Sequence, residues 1–168
     1  MICMGSVVVV TGTPGTGKTT VARYVAEQYG YHYVDGKEVI REHHLSEGHD
    51  TERDCDIVDI NRFCKVLVGL IKDTGDDLVI DSHLAHELSP DMIDVVIVTT
   101  CERKMLKERL KQRDYSAMKT KENIEAEIFQ TCLIDAQEQG HHVLQIDTTH
   151  GIDQEAKRTI SSELSSSS

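Results

Sequence analysis

The chain has 168 residues, of which 39% are hydrophobic and 28% are charged, as is usual for one soluble globular domain. The net charge of −11 and the 4% aromatic content argue against direct nucleic-acid binding, which needs a basic face or stacking platforms. The five cysteines include no Cys-x-x-Cys pair, so neither a disulfide framework nor a zinc site is expected. With no signal-peptide pattern and no long apolar run, we expect a cytoplasmic protein that does not bind membranes.

Apolar runs bounded by turn residues alternate with helical stretches, which predicts a parallel sheet covered by helices on both faces. The predicted strands are 6–11, 31–34, 77–82, 93–99 and 142–146. The predicted helices are 18–28, 36–44, 59–73, 102–113, 121–139 and 152–163. We expect one α/β domain over residues 1–164, with five parallel strands in the order 2-3-1-4-5, and a disordered tail at 165–168.

The first strand runs directly into a phosphate-binding motif. Residues 12–19 read Gly-Thr-Pro-Gly-Thr-Gly-Lys-Thr, the Walker A pattern, between a predicted strand and a predicted helix. The glycines let the backbone point its N–H groups at phosphate oxygens, and the helix adds the positive end of its dipole. Lys18 is placed to reach the β- and γ-phosphates and Thr19 to bind Mg²⁺. The motif therefore predicts a P-loop NTPase that binds ATP, and it disfavours a glycine-rich turn that binds nothing.

Two segments interrupt the alternation of strands and helices. Residues 45–58 are polar and acidic with little periodicity, and residues 113–120 form a short basic connector. Such excursions from a nucleotide fold are typical of lids or substrate clamps, although two ordinary surface loops would have the same composition. The acidity of 47–59 suits a basic protein better than an anionic nucleotide; its acidic residues are Glu47, Asp50, Glu52, Asp54, Asp56 and Asp59.

A carboxylate ends the third predicted strand. Asp81 follows Val79 and Ile80, so it should lie at the carboxyl edge of the sheet, where it can hold Mg²⁺ together with Thr19. His83 comes next and is expected to orient an attacking water or a phosphate oxygen. His83 and His86 could suggest a metal pair, but no further ligands accompany them.

Arginines are the remaining requirement, because phosphoryl transfer depends on positioning and charge neutralisation. Arg109 and Arg113 are four residues apart on the helix 102–113, next to the basic connector. Arg41 follows the second strand, where it could meet an acceptor phosphate. A solvated charged surface is the ordinary alternative for such arginines.

The chain resembles the adenylate kinase isoenzyme six family of small nucleoside monophosphate kinases from about residue 7 to residue 130. The resemblance lies in Thr-Gly-Thr-Pro-Gly-Thr-Gly-Lys-Thr-Thr at 11–20, Asp35 with Arg41-Glu42, the Asp-Cys-x-Ile-x-Asp stretch within 49–59, Ile80-Asp81-x-His83, Glu108-Arg109-Leu110 with Arg113-x-Tyr115, and Asn123-Ile124-x-x-Glu127-Ile128-Phe129. The last run and the Asp-Cys stretch are more specific than the phosphate loop alone.

The resemblance implies a fold, a set of site residues and a partner. ATP phosphates and Mg²⁺ would be bound by Gly15, Thr16, Gly17, Lys18, Thr19 and Thr20, with Arg113 as a lid arginine. Residues 33–56, with Asp35 and Arg41, would bind the nucleoside monophosphate, 112–122 would form a short lid, and 147–150 would face adenine. The family's partner is a small-subunit ribosomal protein, held transiently during late ribosomal RNA maturation.

The chain departs from the family pattern at one position and from metabolic adenylate kinases at another. Ser82 stands where the family usually has an aromatic residue, and Asn123 stands where metabolic adenylate kinases have a phosphate-binding arginine. The short lid and Asn123 fit the mixed monophosphate kinase and ATPase character that the resemblance implies, with AMP as the expected acceptor.

Four other functions are possible alternatives to a nucleoside monophosphate kinase. An ATPase switch that releases a ribosomal protein, with vestigial kinase activity, is the alternative. A GTPase is disfavoured because the guanine motif Asn-Lys-x-Asp is absent from the sequence, and a shikimate-type kinase because Asp35-Gly36-Lys37 lacks its second aspartate. A structural phosphate-binding module would need neither Asp81 nor the arginine pair.

Overall fold

Seven strands form two separate sheets in the computed structural model, which describes residues 4–52 and 55–165. The strands are β1 (Val7–Gly12), β2 (His32–Asp35), β3 (Ser46–Asp50), β4 (Cys55–Val58), β5 (Leu78–Asp81), β6 (Val95–Thr100) and β7 (Val143–Asp147). The larger sheet is parallel and ordered β2-β5-β1-β6-β7. This is the predicted order 2-3-1-4-5 once β3 and β4 are left out of the count, and it confirms the α/β fold class.

Helices cover both faces of the parallel sheet. They are α1 (Lys18–Tyr29), α2 (Gly36–Glu42), α3 (Ile60–Thr74), α4 (Arg103–Gln112), α5 (Ala117–Ile128), α6 (Thr131–Glu138) and α7 (Gln154–Leu164), with two 3-10 turns at Ala85–Glu87 and Pro90–Met92. None of the described helices is long and apolar enough to cross a membrane.

The core lies in two layers on either side of the sheet. On one face, Phe63, Leu67 and Ile71 of α3 pack with inward side chains of β1 and β5. On the other face, α1 and α7 pack through buried residues that include Val21, Val25 and Ile160. The side chains of β1 from Val7 to Val10 are almost fully buried because both faces of this central strand are covered. This rigid strand carries the phosphate loop at its carboxyl end.

The segment 45–58, predicted to be an irregular excursion, contains a β-hairpin. β3 and β4 pair antiparallel, and the His49 ring and the Asp56 carboxylate lie 3.1 Å apart across the pair. Apart from Asp50 and Val58, which are half-buried, the described residues of both strands are exposed. A hairpin with two solvated faces has no alternation of apolar and polar residues, so its pattern gave no strand signal.

The prediction of one continuous helix over 121–139 is wrong, because the structure has two helices there, α5 and α6. Gln130 adopts a left-handed backbone conformation with φ of 52°, which separates α5 from α6. In addition, α5 begins at Ala117, inside the predicted connector 113–120, because the Ser116 side chain accepts a hydrogen bond from the Lys119 N–H and caps the helix. At the C-terminus, Ser165 caps α7, and the rest of the predicted tail, 166–168, lies outside the described residues.

Candidate active site at the phosphate loop

The phosphate loop joins β1 to α1 and keeps a fixed shape through its own bonds. Gly15 and Gly17 have positive φ values of 90° and 84°, which other residues adopt only with strain. The buried Thr16 hydroxyl donates to the Thr13 carbonyl oxygen at 2.6 Å and lies 2.8 Å from the Thr99 hydroxyl. The Thr16 side chain therefore braces the loop.

Lys18 is the first residue of α1. Its Nζ donates to the Gly12 carbonyl oxygen at 3.0 Å. Burial is the main cause that lowers the pKa of Lys18 to about 8; the Asp81 carboxylate opposes this shift, and the positive charges of Lys37 and Arg113 contribute to it. An anion bound at the loop would restore the charged form of this lysine.

Thr19 and Asp81 meet at the mouth of the loop, as the sequence predicted. The Thr19 hydroxyl donates to Oδ2 of Asp81 at 2.6 Å, and the Tyr33 hydroxyl donates to the same oxygen at 2.8 Å. Oδ1 of Asp81 accepts no hydrogen bond from the described side chains. These are the hard oxygen ligands that Mg²⁺ prefers, and Mg²⁺ is usually held by one or two protein groups plus phosphates, so the pair fits that ion.

Tyr33 was not singled out in the sequence. It belongs to the predicted strand Tyr-His-Tyr-Val, and an aromatic side chain is an ordinary component of a strand. Its contact with Asp81 arises from the pairing of β2 with β5, which aligns Tyr33 with Val79 and Asp35 with Asp81. No local signal in the chain indicates this contact.

His83 and His86 point to different environments, so the described structure does not bring them together as a metal pair. His83 is exposed at the cleft, whereas His86 is buried, with its carbonyl oxygen accepting from Nε2 of His141 at 2.6 Å. Loss of hydration, followed by the charges of Lys18 and Lys37, lowers the pKa of His83 to about 4. The same direction follows from charge alone, because both lysines repel a protonated ring. His83 is therefore a neutral imidazole at physiological pH.

Arg109 and Arg113 have separate surroundings. Arg109 donates to the carbonyl oxygens of Thr148 at 2.6 Å, Thr149 at 3.3 Å and Gly15 at 3.3 Å. Arg113 caps the end of α4, is exposed, and makes one contact of 3.4 Å with the Tyr115 hydroxyl.

A cavity of about 510 Å³ lies between the phosphate loop, the end of α4 and the loop after β7. Its lining residues include Gly17, Thr20, Val21, Arg109, Gln112, Arg113, Thr148 and Ile152. Thr148 belongs to the predicted adenine-facing segment 147–150; Gly151 and Ile152, which also line the cavity, lie just beyond it. The volume is within the range of small-ligand sites.

The helix α2 begins beside the end of β5, next to Asp81. Asp35 caps this helix by accepting from the Lys37 N–H at 3.0 Å, which accounts for its residue type without any ligand. Gly36 packs so tightly against the end of β5 that an added Cβ would lie 2.6 Å from the Ser82 Cβ. Arg41 lies one turn beyond Lys37 and pairs with Glu38 at 3.2 Å. Lys37, which the sequence reading left out, makes no side-chain hydrogen bond or ion pair with the described residues.

Comparisons with known proteins identify relatives of this chain. A profile of the AAA domain family matches residues 8–130. The chain is 36% identical over 143 residues to the protein named "Putative adenylate kinase" of Thermococcus onnurineus, covering 85% of this chain and 75% of that protein. It is 33% identical over 155 residues to "Adenylate kinase isoenzyme 6 homolog" of Caenorhabditis elegans, covering 90% and 85%.

The chain belongs to the adenylate kinase isoenzyme 6 family. This confirms the family resemblance drawn from the sequence motifs. A solved structure, shikimate kinase from Acinetobacter baumannii in complex with shikimate, aligns with a TM-score of 0.65 at 16% identity over 98% of this chain and 96% of its own. At that identity the likeness shows the shared fold alone.

Proposed function

We propose that this chain is a P-loop kinase domain that transfers the γ-phosphoryl group of ATP to a nucleoside monophosphate, with AMP as the preferred acceptor, and that it also hydrolyses ATP. The observation that carries the proposal is the grouping of charges where β5 ends. Besides burial, the Lys37 charge lowers the pKa of Lys18, and Gly36, at the start of α2, packs against Ser82 and the Asp81 carbonyl oxygen. Two cations beside a carboxylate would form a cleft that suits two phosphate groups brought end to end.

The donor nucleotide would lie across the phosphate loop with its base in the 510 Å³ cavity. The backbone of Gly15 to Thr20 and the start of α1 would receive the phosphates. Arg109, fixed by three carbonyl oxygens, would present its guanidinium face to the base, and Arg113 at the cavity edge would reach the phosphates. We propose residues 112–122, the turn after α4 and the start of α5, as the lid.

In the transfer step, an oxygen of the acceptor phosphate would attack the γ-phosphorus while the bond from that phosphorus to the β–γ bridging oxygen breaks. ADP leaves from the donor side and the acceptor becomes a diphosphate. Negative charge grows on the bridging and γ oxygens, and Lys18 is placed to neutralise it. Thr19 and Asp81 would hold Mg²⁺, which supplies further charge neutralisation when bound.

Acceptor binding would fall to α2 and to the wider region 33–56. Lys37 and Arg41 are one helical turn apart and so share a face of α2, on which a monophosphate could sit between them. The tight packing of Gly36 against Ser82 sets the start of this helix beside Asp81. Asp35 would act through the helix cap and not by touching the nucleotide.

Hydrolysis would use water in place of the acceptor. His83 is exposed at the cleft and is a neutral imidazole, so it can accept a hydrogen bond from water that faces the γ-phosphate. A histidine held in the charged form could not accept that bond.

A second role, as an ATPase switch that acts on a ribosomal protein during small-subunit maturation, is favoured by the hairpin. Glu47, Glu52 and Asp56 are exposed on it, together with the 49% exposed Ile57. An acidic projection with an apolar side chain suits a basic protein surface more than an anionic nucleotide.

The test is to incubate purified protein with Mg²⁺ and ATP alone, and then with AMP, CMP, GMP or UMP, while following ADP and inorganic phosphate separately. Transfer to AMP yields two ADP without phosphate, and hydrolysis yields one ADP with one phosphate. Lys18→Ala should lower both by about 100-fold or more, because one charge serves both reactions. If no monophosphate changes the product ratio, the kinase proposal fails; if Lys18→Ala keeps either activity within about threefold of wild type, with its fold intact, the site is wrong.

A further inference from the structure

Four side chains form a connected group beneath the proposed metal site. The Tyr33 and Thr19 hydroxyls both donate to Oδ2 of Asp81, at 2.8 Å and 2.6 Å. The Arg23 guanidinium lies over the Tyr33 ring, 5.0 Å from its centroid. Thr19 and Arg23 are one turn apart on α1, so one helix face holds both the carboxylate and the ring.

The group holds one oxygen of Asp81 and leaves the other without a bond from the described side chains. Two hydroxyl donors on Oδ2 are charge-assisted hydrogen bonds, which are short and strong. They fix the rotation of the carboxylate about its Cβ–Cγ bond. Thr19 is itself a proposed metal ligand, so it could be drawn to the ion on binding, whereas the Tyr33 hydroxyl makes no other hydrogen bond with the described residues.

We propose that Tyr33 is a positioning residue for the metal site, whose hydroxyl holds the Asp81 carboxylate in the orientation that Mg²⁺ with bound ATP requires. The inference rests on the proposed use of Mg²⁺ and ATP and adds a residue to it. Tyr33 is the first residue of the region 33–56 proposed for the acceptor, and the role proposed for its hydroxyl is to act through Asp81 and not by contact with the nucleotide. Groups of this kind, which orient a metal ligand, affect metal affinity by about 10- to 100-fold when removed.

The protonation state of Tyr33 supports this role without carrying it. Burial first, and then the hydrogen bond to Asp81, raise the pKa of the phenol above its usual value. The hydroxyl is therefore a hydrogen-bond donor throughout the physiological pH range. Neither the ring packing under Arg23 nor the pairing of β2 with β5 depends on that oxygen, so Tyr33→Phe should keep the fold.

The test is Mn²⁺ binding measured by electron paramagnetic resonance in the presence of a non-hydrolysable ATP analogue. Tyr33→Phe should weaken Mn²⁺ binding about 10-fold, while analogue affinity in EDTA and the melting temperature stay as in wild type. Tyr31→Phe is the matched control, because it removes a hydroxyl two residues away that makes no described bond to Asp81. Arg23→Ala, a surface change that releases the ring, should weaken Mn²⁺ binding in the same direction by a smaller factor.

The outcomes separate this inference from the proposed function. If wild type binds no Mn²⁺ with the analogue, the proposed metal-dependent chemistry fails. If wild type binds Mn²⁺ and both Tyr33→Phe and Arg23→Ala match it within about twofold, Tyr33 has no positioning role. Equal losses in metal-dependent and metal-free nucleotide binding would show that Tyr33 supports the general structure of the loop and would overturn the inference as well.

Discussion

Arg109 of α4 donates from Nη2 to the carbonyl oxygen of Thr148 at 2.6 Å, and from Nη1 to that of Gly15 at 3.3 Å. One side chain thus ties the loop after β7 to the phosphate loop, although 94 residues separate Arg109 from Gly15. Because a guanidinium fork can span two acceptors in a fixed plane, lysine cannot replace it here. The wall of the proposed base pocket depends on this residue.

Arg109→Lys should therefore raise the KM for ATP about tenfold, which corresponds to about 1.4 kcal/mol, with a smaller change in kcat. The melting temperature should fall by about 2–4 °C for each kcal/mol of lost stability. Arg103→Lys, an exposed position in the first turn of α4, is the matched control. Steady-state kinetics with varied ATP decide it. A loss in kcat alone would instead support the direct catalytic role that the sequence predicted for Arg109.

Lys37 should serve the acceptor and not the donor. Lys37→Ala should raise the KM for AMP by about tenfold or more, because it removes a cation from the acceptor side of the cleft, and ATP hydrolysis without AMP should change by less than about threefold. Arg41→Ala should act in the same direction, and Lys65→Ala, an exposed change on α3, should have no effect. Kinetics with varied AMP at saturating ATP measure this split. Equal losses in both activities for Lys37→Ala would place the residue on the donor side.

The sequence predicted the residues that depend on local pattern and missed those that depend on pairing. Lys18, Thr19 and Asp81 were found because a loop motif and a strand-ending carboxylate are local features, and the sheet order brings them together. Tyr33 and Lys37, for which roles are proposed above, were missed because their places near Asp81 arise only when β2 lies beside β5.

The secondary structure that the sequence did not predict has two physical explanations. The hairpin was missed because its strands face solvent on both sides and so lack alternation. The break at Gln130 was missed because a left-handed residue other than glycine leaves no mark in the helical period.

The pH dependence of kcat/KM for ATP should reflect the protonation of Lys18. Its pKa is lowered to about 8, mainly by burial, so the free protein holds the cation below that pH and loses it above. We expect kcat/KM for ATP to fall as pH rises from about 7.5 to 9.5, while kcat falls less because bound phosphates stabilise the charged lysine. Lys18→Arg should lose the alkaline limb, because arginine stays protonated. A flat kcat/KM profile up to pH 9.5 in wild type would contradict this interpretation.

Asp81 and His83 should separate in their effects. Asp81→Asn should weaken transfer and hydrolysis alike, because both depend on the metal ion. His83→Ala should lower hydrolysis by about 10²-fold or more and AMP phosphorylation by less, since water needs orientation and the acceptor phosphate does not. The low pKa of His83 also means that hydrolysis should show no titration between about pH 5.5 and 7. Parallel assays of phosphate release and ADP formation measure both. Equal losses for His83→Ala would leave it as a general phosphate contact.

The acidic hairpin should bind a basic partner through charge. The hairpin carries exposed carboxylates at Glu47, Glu52 and Asp56. Among the described residues from 45 to 58, only Leu45, which precedes β3, is buried. Asp54, also counted in the predicted acidic segment, lies outside the described residues. Since exposed charges are screened by salt, we expect binding to the small-subunit ribosomal protein proposed as the partner to weaken as ionic strength rises.

Titration of the purified pair at about 50 mM and about 300 mM salt, with and without ATP, tests this expectation. The triple variant Glu47→Gln, Glu52→Gln, Asp56→Asn should lose about tenfold or more in affinity at low salt. The control triple Asp91→Asn, Glu138→Gln, Glu155→Gln removes the same charge from exposed positions elsewhere and should bind as wild type. If both triple variants lose the same affinity for the partner, the effect comes from the net charge of the chain and not from the hairpin. If the pair does not bind at low salt in any nucleotide state, the proposed partner-binding role of the hairpin is wrong.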